Sequence, residues 1–300
     1  MKTAADMRAE VREFWNRTPC DSDRSILAKD SREYFLEIEH DRYRYQYHIV
    51  RDVLPWVDWK GKKVLEIGTG VGTDARQLIQ RGALYTGINI DSKSVEMTRT
   101  ALRLFGLAGH VEQCDATAMP FDNEVFDVVY SYGALPCIPD LERALDEAHR
   151  VLRPGGLFIG LLYNKPSINY QVEIRVLRRL ARPLLAVPGV IAVLSRLGLR
   201  RDRLEGHRQL YRAKKRMSPQ EWLSRNTDGP DNPYISIQDA KDVERLFARF
   251  EILKNEVFFF DYRHWGALGQ VLPYKAVEWF GKKWGWHRVV FARKRMGRHN

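Results

Sequence analysis

Apolar and polar residues alternate in a strand–helix rhythm through the middle of the chain. Short apolar runs that are typical of buried strands occupy residues 63–67, 84–90, 110–114, 126–130 and 157–163. Segments of helical period at 74–81, 92–105 and 140–152 separate them and end at Gly82, at Gly106 and ahead of Pro154, which are common helix stop signals. This alternation predicts a parallel sheet with helices on both of its faces.

The rhythm stops after residue 163 and resumes near residue 240. A helix at 240–250, a strand at 251–259 and a last strand at 287–292 then follow. An interruption of about 70 residues is longer than ordinary connections and is typical of a functional segment. We therefore expect an N-terminal helical cap at 1–60, an α/β core at 61–163 and 239–295, and a basic lid insertion at 164–238.

The charge of the chain is unevenly distributed. The 300 residues carry a formal net charge of +11, and 44% of them are hydrophobic, so a core can be buried. Residues 171–216 contribute a net +10 and residues 282–300 a further +7, which leaves −6 for the remainder. One internal segment and one tail therefore favour anionic partners, whereas the predicted core does not.

Several classes of protein are excluded by what the sequence lacks. Cys20, Cys114 and Cys137 cannot form a disulfide framework, and no C-x-x-C pair exists for a zinc knuckle. The N-terminus has no apolar signal-peptide core, and the longest apolar run, 183–194, is shorter than the ~20 residues of a membrane span. We expect a reduced, cytoplasmic protein that holds no metal.

One glycine-rich motif carries the candidate chemistry. The segment from Val64 to Gly72 reads V-L-E-I-G-T-G-V-G, follows a predicted strand and opens a helix. Its glycines allow a tight turn that brings backbone N–H groups close to a ligand. A dinucleotide site needs G-x-G-x-x-G with a pyrophosphate on the helix N-terminus. Here Asp74 lies at that terminus, where its carboxylate would satisfy the free amides and repel a phosphate. With Glu66 nearby, the motif favours a zwitterionic or cationic ligand.

Further features follow the motif in a specific order. They are the sequences GINI at 87–90, CDATAMPF at 114–121, FDVVYSY at 126–132 and VLRPGG at 151–156. With this set, residues 60–165, and more weakly 240–293, resemble the class I S-adenosylmethionine-dependent methyltransferases of the small-molecule, type 11-like kind. The resemblance implies a Rossmann-like, seven-stranded, mostly parallel sheet with an antiparallel last strand, plus helical N-terminal and lid additions.

The resemblance also implies a cofactor, S-adenosyl-L-methionine, and a product, S-adenosyl-L-homocysteine. It assigns the cofactor pocket to Glu66, Gly68, Thr69, Gly70, Gly72, Asp74, Asn89, Ile90, Asp115, Ala116 and Ser131, with the ribose near Asn89 and the adenine near Asp115. Tyr43 in the N-terminal segment either packs against the core or presents its ring to the sulfonium, whose charge is attracted to aromatic faces. Trp15, Asn16 and residues 262–265 are further pocket candidates.

Two positions depart from the family pattern. Asn89 stands where the family usually has an acid, so it can still bind ribose hydroxyls but loses the charge-assisted bond. Asparagine here resembles methyltransferases that act on sterol or fatty-acyl double bonds. The loop 135–140 lacks the histidine pair of many quinone-type relatives, so no catalytic base is assigned.

Three functions remain open at this point. The first is methyl transfer to a small-molecule acceptor, hydrophobic or membrane-proximal, which the cap and the lid insertion would select. The second is an RNA or protein methyltransferase that uses the basic insertion, although the Asn-Pro-Pro-aromatic motif of such enzymes is absent after strand four. The third is a non-catalytic binding module. Segment 171–216 is either a solvated lid face or a peripheral contact with anionic membrane. The sequence does not indicate an oligomeric state.

Overall fold

A seven-stranded sheet organises the fold, and it confirms the predicted class. The computed structural model describes residues 3–197, 199–260 and 273–296. The strands are β1 (Lys63–Ile67), β2 (Leu84–Asn89), β3 (His110–Gln113), β4 (Phe126–Ser131), β5 (Leu152–Tyr163), β6 (Phe250–Phe258) and β7 (His287–Lys294). Their spatial order is β3-β2-β1-β4-β5-β7-β6, and β1 to β5 pair in parallel whereas the last strands are antiparallel. The strand order reverses between β1 and β4, where open sheets of this kind bind ligands at the carboxyl ends.

Helices connect and extend this sheet. They are α1 (Ala4–Arg17), α2 (Arg32–Tyr45), α3 (Thr73–Gln80), α4 (Ser92–Phe105), α5 (Leu141–Val151), α6 (Arg178–Ala181), α7 (Val190–Arg196), α8 (Arg201–Ala213), α9 (Pro219–Arg225), α10 (Ala240–Leu246) and α11 (Tyr274–Trp284). Short 3₁₀ and π turns lie at Leu54–Trp56, Leu135–Cys137, Arg182–Ala186, Ile49–Val53 and Asn169–Leu177. Predicted and observed elements of the core differ by only a few residues at their ends.

Strand β5 shows one difference from the prediction. The sequence predicted a strand that begins at residue 157, but pairing with β4 already begins at Leu152. The register then shifts, because Phe126 pairs with Leu152 whereas Val128 pairs with Leu157. Gly155 takes a left-handed φ of 75°, so the Pro-Gly-Gly sequence forms a bulge inside the strand rather than a turn before it.

The central strands are buried on both faces. Leu65 of β1 and Val129 of β4 are fully buried, and the apolar face of α5 packs into the same cluster. On the N-terminal side, Phe35 and Ile38 of α2 pack against Met97 of α4. The first 60 residues therefore contribute their own apolar contacts to the helical layer that covers the sheet.

The chain divides into two compact units. The first contains Met1–Leu162, Ala240–Asn255 and Val289–Asn300, and the second contains Tyr163–Asp239 and Glu256–Arg288. The second unit thus combines the predicted insertion with residues 256–288, which the sequence had placed in the core. The cap and lid roles of these segments stay predictions, and candidate residues 262–265 lie outside the described ranges. In the residues that the structure describes, no helix has both the length and the apolarity needed to cross a bilayer.

Replacing Phe158 by alanine should destabilise the first unit by about 3–5 kcal/mol. The Phe158 ring is fully buried in β5, with its centroid 5.4 Å from that of Phe247 and 5.6 Å from that of Phe250. Urea unfolding measures the free-energy difference. Leu84→Ala is the control, because Leu84 is exposed and its truncation should change stability by less than about 0.5 kcal/mol. Equal losses for the two variants would contradict this core assignment.

Candidate functional site

The turn between β1 and α3 has a left-handed backbone at three alternate positions. Gly68, Gly70 and Gly72 have φ values of 86°, 54° and 79°, which side-chain-bearing residues rarely adopt. A Cβ on Gly68 would come within 2.2 Å of the Cβ of Ala134, so this position also lacks space. The Gly68 amide donates to the Ile88 carbonyl at 2.8 Å, which holds the turn beside β2. The predicted glycine requirement therefore has a conformational and a steric cause.

Thr98 of α4 fixes this turn from below, and sequence reasoning did not find it. Its buried hydroxyl oxygen lies 3.0 Å from the Thr69 hydroxyl and 3.2 Å from the Gly70 carbonyl oxygen. A Cβ on Gly72 would lie 3.1 Å from the Thr98 methyl group. The one sign of this role in the sequence is that Thr98 is a polar residue on the apolar face of the predicted helix 92–105.

Glu66 is a buried carboxyl group at the end of β1. The Tyr85 hydroxyl donates a hydrogen bond to Glu66 Oε2. Burial, together with the negative charge of Asp74, raises the pKa of Glu66 to about 8. The site therefore contains an acid that favours its protonated form until a cationic group approaches it.

Asp74 is held by side chains from two other elements. Its Oδ2 accepts bonds from Arg42 Nη2 at 2.8 Å and from the Tyr130 hydroxyl at 3.1 Å, and its Oδ1 accepts from the Tyr43 hydroxyl at 2.7 Å. The expectation that this carboxylate satisfies the amides of α3 is wrong, because a guanidinium and two phenols occupy its oxygens. Tyr43 thus belongs to the network around the site, and its contact with the cofactor stays a prediction.

Arg42 of α2 links this network to the N-terminal segment. In addition to Asp74, its guanidinium donates to Asp21 Oδ2 at 3.1 Å and lies over the ring of Tyr132, 5.9 Å from the centroid. Its Nε is buried and has no partner among the described residues. The sequence analysis did not single out Arg42, because nothing in its local pattern indicates a pairing with a residue 32 positions away.

The end of β2 carries a second acid that the sequence analysis missed. Asn89 is half-buried, and Ile90 next to it accepts a bond from the Gln113 side chain through its carbonyl oxygen. Asp91 is fully buried and caps α4, since its Oδ1 accepts from the Ser94 amide at 2.7 Å. Its Oδ2 has no partner in the described part of the chain, and burial raises its pKa. Asp91 follows Asn89 by two residues, in the bend between β2 and α4.

The turn after β3 is already organised around Asp115. Its Oδ1 accepts bonds from the Thr117 amide at 2.9 Å and the Thr117 hydroxyl at 2.8 Å, and its Oδ2 pairs with Arg8 of α1 at 3.2 Å. Ala116 is buried beside it. Asp115 therefore caps a turn, and the predicted adenine contact stays a prediction. From α1, Asn16 accepts bonds from Ser92 and Lys93 at the start of α4.

Ser131, the last residue of β4, forms a hydrogen bond to the neighbouring strand. Its buried hydroxyl donates to the Ile67 carbonyl at 2.9 Å and joins the carboxyl ends of β4 and β1. Its role toward a cofactor stays a prediction. The described residues of the predicted cofactor pocket nevertheless all belong to the first compact unit, and most of them lie at the carboxyl ends of β1 to β4.

The comparison with protein families agrees with this arrangement. Residues 65–160 match the family described as "Methyltransferase domain". The match covers about a third of the chain and agrees with the predicted resemblance to class I S-adenosylmethionine-dependent methyltransferases. The resemblance inferred from the sequence is confirmed, and so is its cofactor, S-adenosyl-L-methionine, with S-adenosyl-L-homocysteine as product.

Curated relatives match part of the chain. The chain is 37% identical over 125 residues to the phthiotriol/phenolphthiotriol dimycocerosates methyltransferase of Mycobacterium tuberculosis, which covers 41% of this chain and 46% of that protein. It is 40% identical over 101 residues to a sterol 24-C-methyltransferase of Gibberella zeae, a match that covers 33% of this chain and 27% of that protein. It is 35% identical over 118 residues to a fatty-acid O-methyltransferase of Mycolicibacterium smegmatis, a match that covers 39% of this chain and 42% of that protein. The matched part thus spans less than half the length of each relative.

A solved structure resembles more of the chain. A SAM-dependent methyltransferase of Thermotoga maritima superposes with a TM-score of 0.52 at 18% identity, covering 95% of this chain and all of that one. At this identity the likeness shows the fold alone. The range that matches the family model, 65–160, lies within the first compact unit.

Replacing Asp91 by asparagine should weaken the binding of S-adenosylhomocysteine by about 10- to 100-fold, because a hydrogen bond to a charged group is lost. Asparagine caps helices as well as aspartate does, so α4 should stay intact. Asp91 can act as a helix cap or as a ligand of the ribose hydroxyls. Calorimetry with S-adenosylhomocysteine and with an analogue that lacks both ribose hydroxyls distinguishes these two roles. The loss should disappear with the analogue; an equal loss for both ligands would assign Asp91 to the cap alone.

Replacing Glu66 by glutamine should change how stability depends on pH. The pKa of Glu66 is raised on folding from its ordinary 4.5 to about 8, so the folded state keeps a proton that the unfolded state releases. The free energy of unfolding of the wild type therefore falls as pH rises through this window. Urea unfolding at several pH values measures this effect. Between pH 5 and pH 8, the free energy of unfolding of the variant should rise relative to that of the wild type by on the order of a few kcal/mol. Parallel pH profiles would contradict this burial effect.

Proposed function

We propose that the protein transfers a methyl group from S-adenosyl-L-methionine to a hydrophobic small-molecule acceptor. The observation that carries the proposal is the left-handed glycine turn of 68–72 with buried carboxyl groups beside it. A turn of this kind exposes backbone amides, and the acids favour an amino-acid ammonium over a phosphate.

Unmatched polar atoms around the turn fit this cofactor. Arg42 Nε is a buried donor and Asp91 Oδ2 a buried acceptor, and neither has a partner among the residues described. Buried polar groups are normally paired, so such atoms need an explanation. The methionyl carboxylate would satisfy Arg42, the ammonium would pair with Glu66, and the ribose hydroxyls would occupy Asn89 and Asp91.

When bound, the cofactor supplies a methyl group that is already activated for displacement by an acceptor atom. The chain's own residues then hold the reactants in line and exclude water. His48 is buried beside the end of β4, and burial together with the charges of Arg42 and Arg51 lowers its pKa to about 3. It is therefore uncharged at neutral pH but too weakly basic to be assigned as the general base. Its Nε2 lies 2.5 Å from the Tyr132 hydroxyl at the exit of β4.

The names of the matching relatives support a lipid-like acceptor. These names give phthiotriol/phenolphthiotriol dimycocerosates, a sterol and a fatty acid as the methylated compounds. Asn89, which replaces the acid usual in the family, agrees with the resemblance to methyltransferases acting on sterols and fatty acyl chains. An RNA or protein acceptor is the alternative function, because the basic segment 171–216 could bind an anionic macromolecule. A non-catalytic binding module is the third candidate function.

A radiolabelled methyl-transfer assay with long-chain fatty acids, sterols and RNA as acceptors distinguishes these functions. We expect label in an organic-soluble lipid and none in RNA. Gly68→Ala should abolish both cofactor binding and transfer, because its Cβ would clash with Ala134 at a left-handed position. Gly106→Ala is the matched control, since Gly106 is also left-handed (φ 63°) but has open space around it and lies at the end of α4. Label in RNA alone would refute the lipid acceptor, and absence of cofactor binding by the wild type would refute the enzyme.

A further inference from the structure

A row of exposed aliphatic side chains follows a continuous helical rod in the second unit. The rod consists of the π-helix Asn169–Leu177, helix α6 and the 3₁₀ helix Arg182–Ala186. Every fourth residue from 172 to 184 along this rod is aliphatic and exposed, whereas Ile174 and Leu185 are buried. The exposed fractions of the four are 40% for Val172, 45% for Val176, 69% for Leu180 and 54% for Leu184. We refer to these four residues as the aliphatic stripe.

Contacts on its other side hold the rod in this orientation. Ile174 is buried, and its carbonyl accepts a bond from Trp222 Nε1 at 2.7 Å. Arg182 Nη2 donates to the carbonyls of Tyr211 and Lys214 at 3.2 and 2.7 Å. The rod is thus fixed to α8 and α9 through its inner face. The aliphatic stripe is exposed because the packing directs it outward.

The apolar surface continues beyond the rod. Val187, Val193, Leu197 and Leu199 expose about half or more of their side chains. Single exposed aliphatic residues are ordinary, but this many within 28 residues are a feature of binding surfaces. Leaving them in water forfeits the free energy that burial against another surface would provide.

Positive charge surrounds these aliphatic residues. Segment 171–216 has thirteen basic residues and three acidic ones. Each acid is paired inside the segment, in the contacts Glu173–Arg178, Asp202–Arg200 and Glu205–Arg201. Arg175 and Arg179 are exposed and lie three residues after Val172 and Val176, so they flank the stripe. The surface therefore combines an apolar centre with an uncompensated cationic rim.

We propose that the aliphatic stripe and its flanking arginines dock on an anionic lipid bilayer. The aliphatic side chains would enter the boundary between headgroups and acyl chains, and the arginines would bind headgroup phosphates. A second copy of the chain fits poorly, because it would bring a segment of net charge +10 against its equal. A nucleic acid would use the charge but not the aliphatic stripe. The proposal is independent of methyl transfer and goes beyond it.

Flotation of the full-length protein with vesicles tests the proposal. The vesicles are phosphatidylcholine alone, or phosphatidylcholine with about one-third phosphatidylglycerol. We expect binding to the anionic vesicles and little to the neutral ones. Leu180→Asp should reduce the partition coefficient about tenfold or more, because a leucine is withdrawn from the membrane and a negative charge is added. Ile26→Asp is the matched control, since Ile26 is fully exposed in the first unit and should change nothing.

The charge contribution is measured separately. Arg175→Gln should weaken binding to anionic vesicles about fivefold, with no change in unfolding temperature. Arg179→Gln should weaken this binding to a similar extent, although its guanidinium also lies 5.3 Å from the ring centroid of Trp222. The proposal is overturned if the wild type does not float with anionic vesicles, or if the Leu180→Asp variant binds them as tightly as the Ile26→Asp variant does. Binding to single-stranded RNA that Leu180→Asp leaves intact, without binding to vesicles, would likewise overturn it and assign the surface to nucleic acid.

Discussion

The left-handed backbone at Gly68, Gly70 and Gly72 is the constraint on which the candidate site depends. Three alternate residues with positive φ turn the chain sharply from β1 into α3, and Thr98 and Ala134 leave little space around the turn. The turn brings the carboxyl ends of β1, β2 and β4 together around one set of backbone amides. Because the constraint is steric, it is present before any ligand binds, and binding need not pay for ordering this loop.

Buried acidic groups are the second feature that defines the candidate site, and they lower the stability of the folded chain. Glu66 is buried close to the negative charge of Asp74, and one carboxyl oxygen of Asp91 has no hydrogen-bond partner among the residues that the structure describes. Such groups destabilise a folded chain unless something satisfies them. Their concentration around one turn is therefore better explained by a ligand than by folding. A zwitterionic cofactor supplies the ammonium and hydroxyl groups that these atoms lack, so binding and stability should be coupled.

Most of the core could be predicted from the sequence, and the reason is local. Strand and helix periods, glycine stops and the glycine motif are encoded in neighbouring residues, so β1 to β4 and α3 to α5 lie within a few residues of their predicted bounds. The pairings of Asp74 with Arg42 and of Asp115 with Arg8 could not be predicted, because they join residues far apart in the chain. Asp91 was missed because the family pattern directed attention to Asn89 instead.

The two proposals share a physical logic, although each can fail alone. A lipid-like acceptor dissolves poorly in water and is concentrated in a bilayer. An enzyme that binds the bilayer surface meets this acceptor at a much higher effective concentration than one in solution. The distribution of charge agrees with that arrangement, since 171–216 carries a net +10 whereas the residues outside 171–216 and 282–300 sum to −6. Positive charge confined in this way orients a protein on an anionic surface, whereas a uniform excess would only attract it.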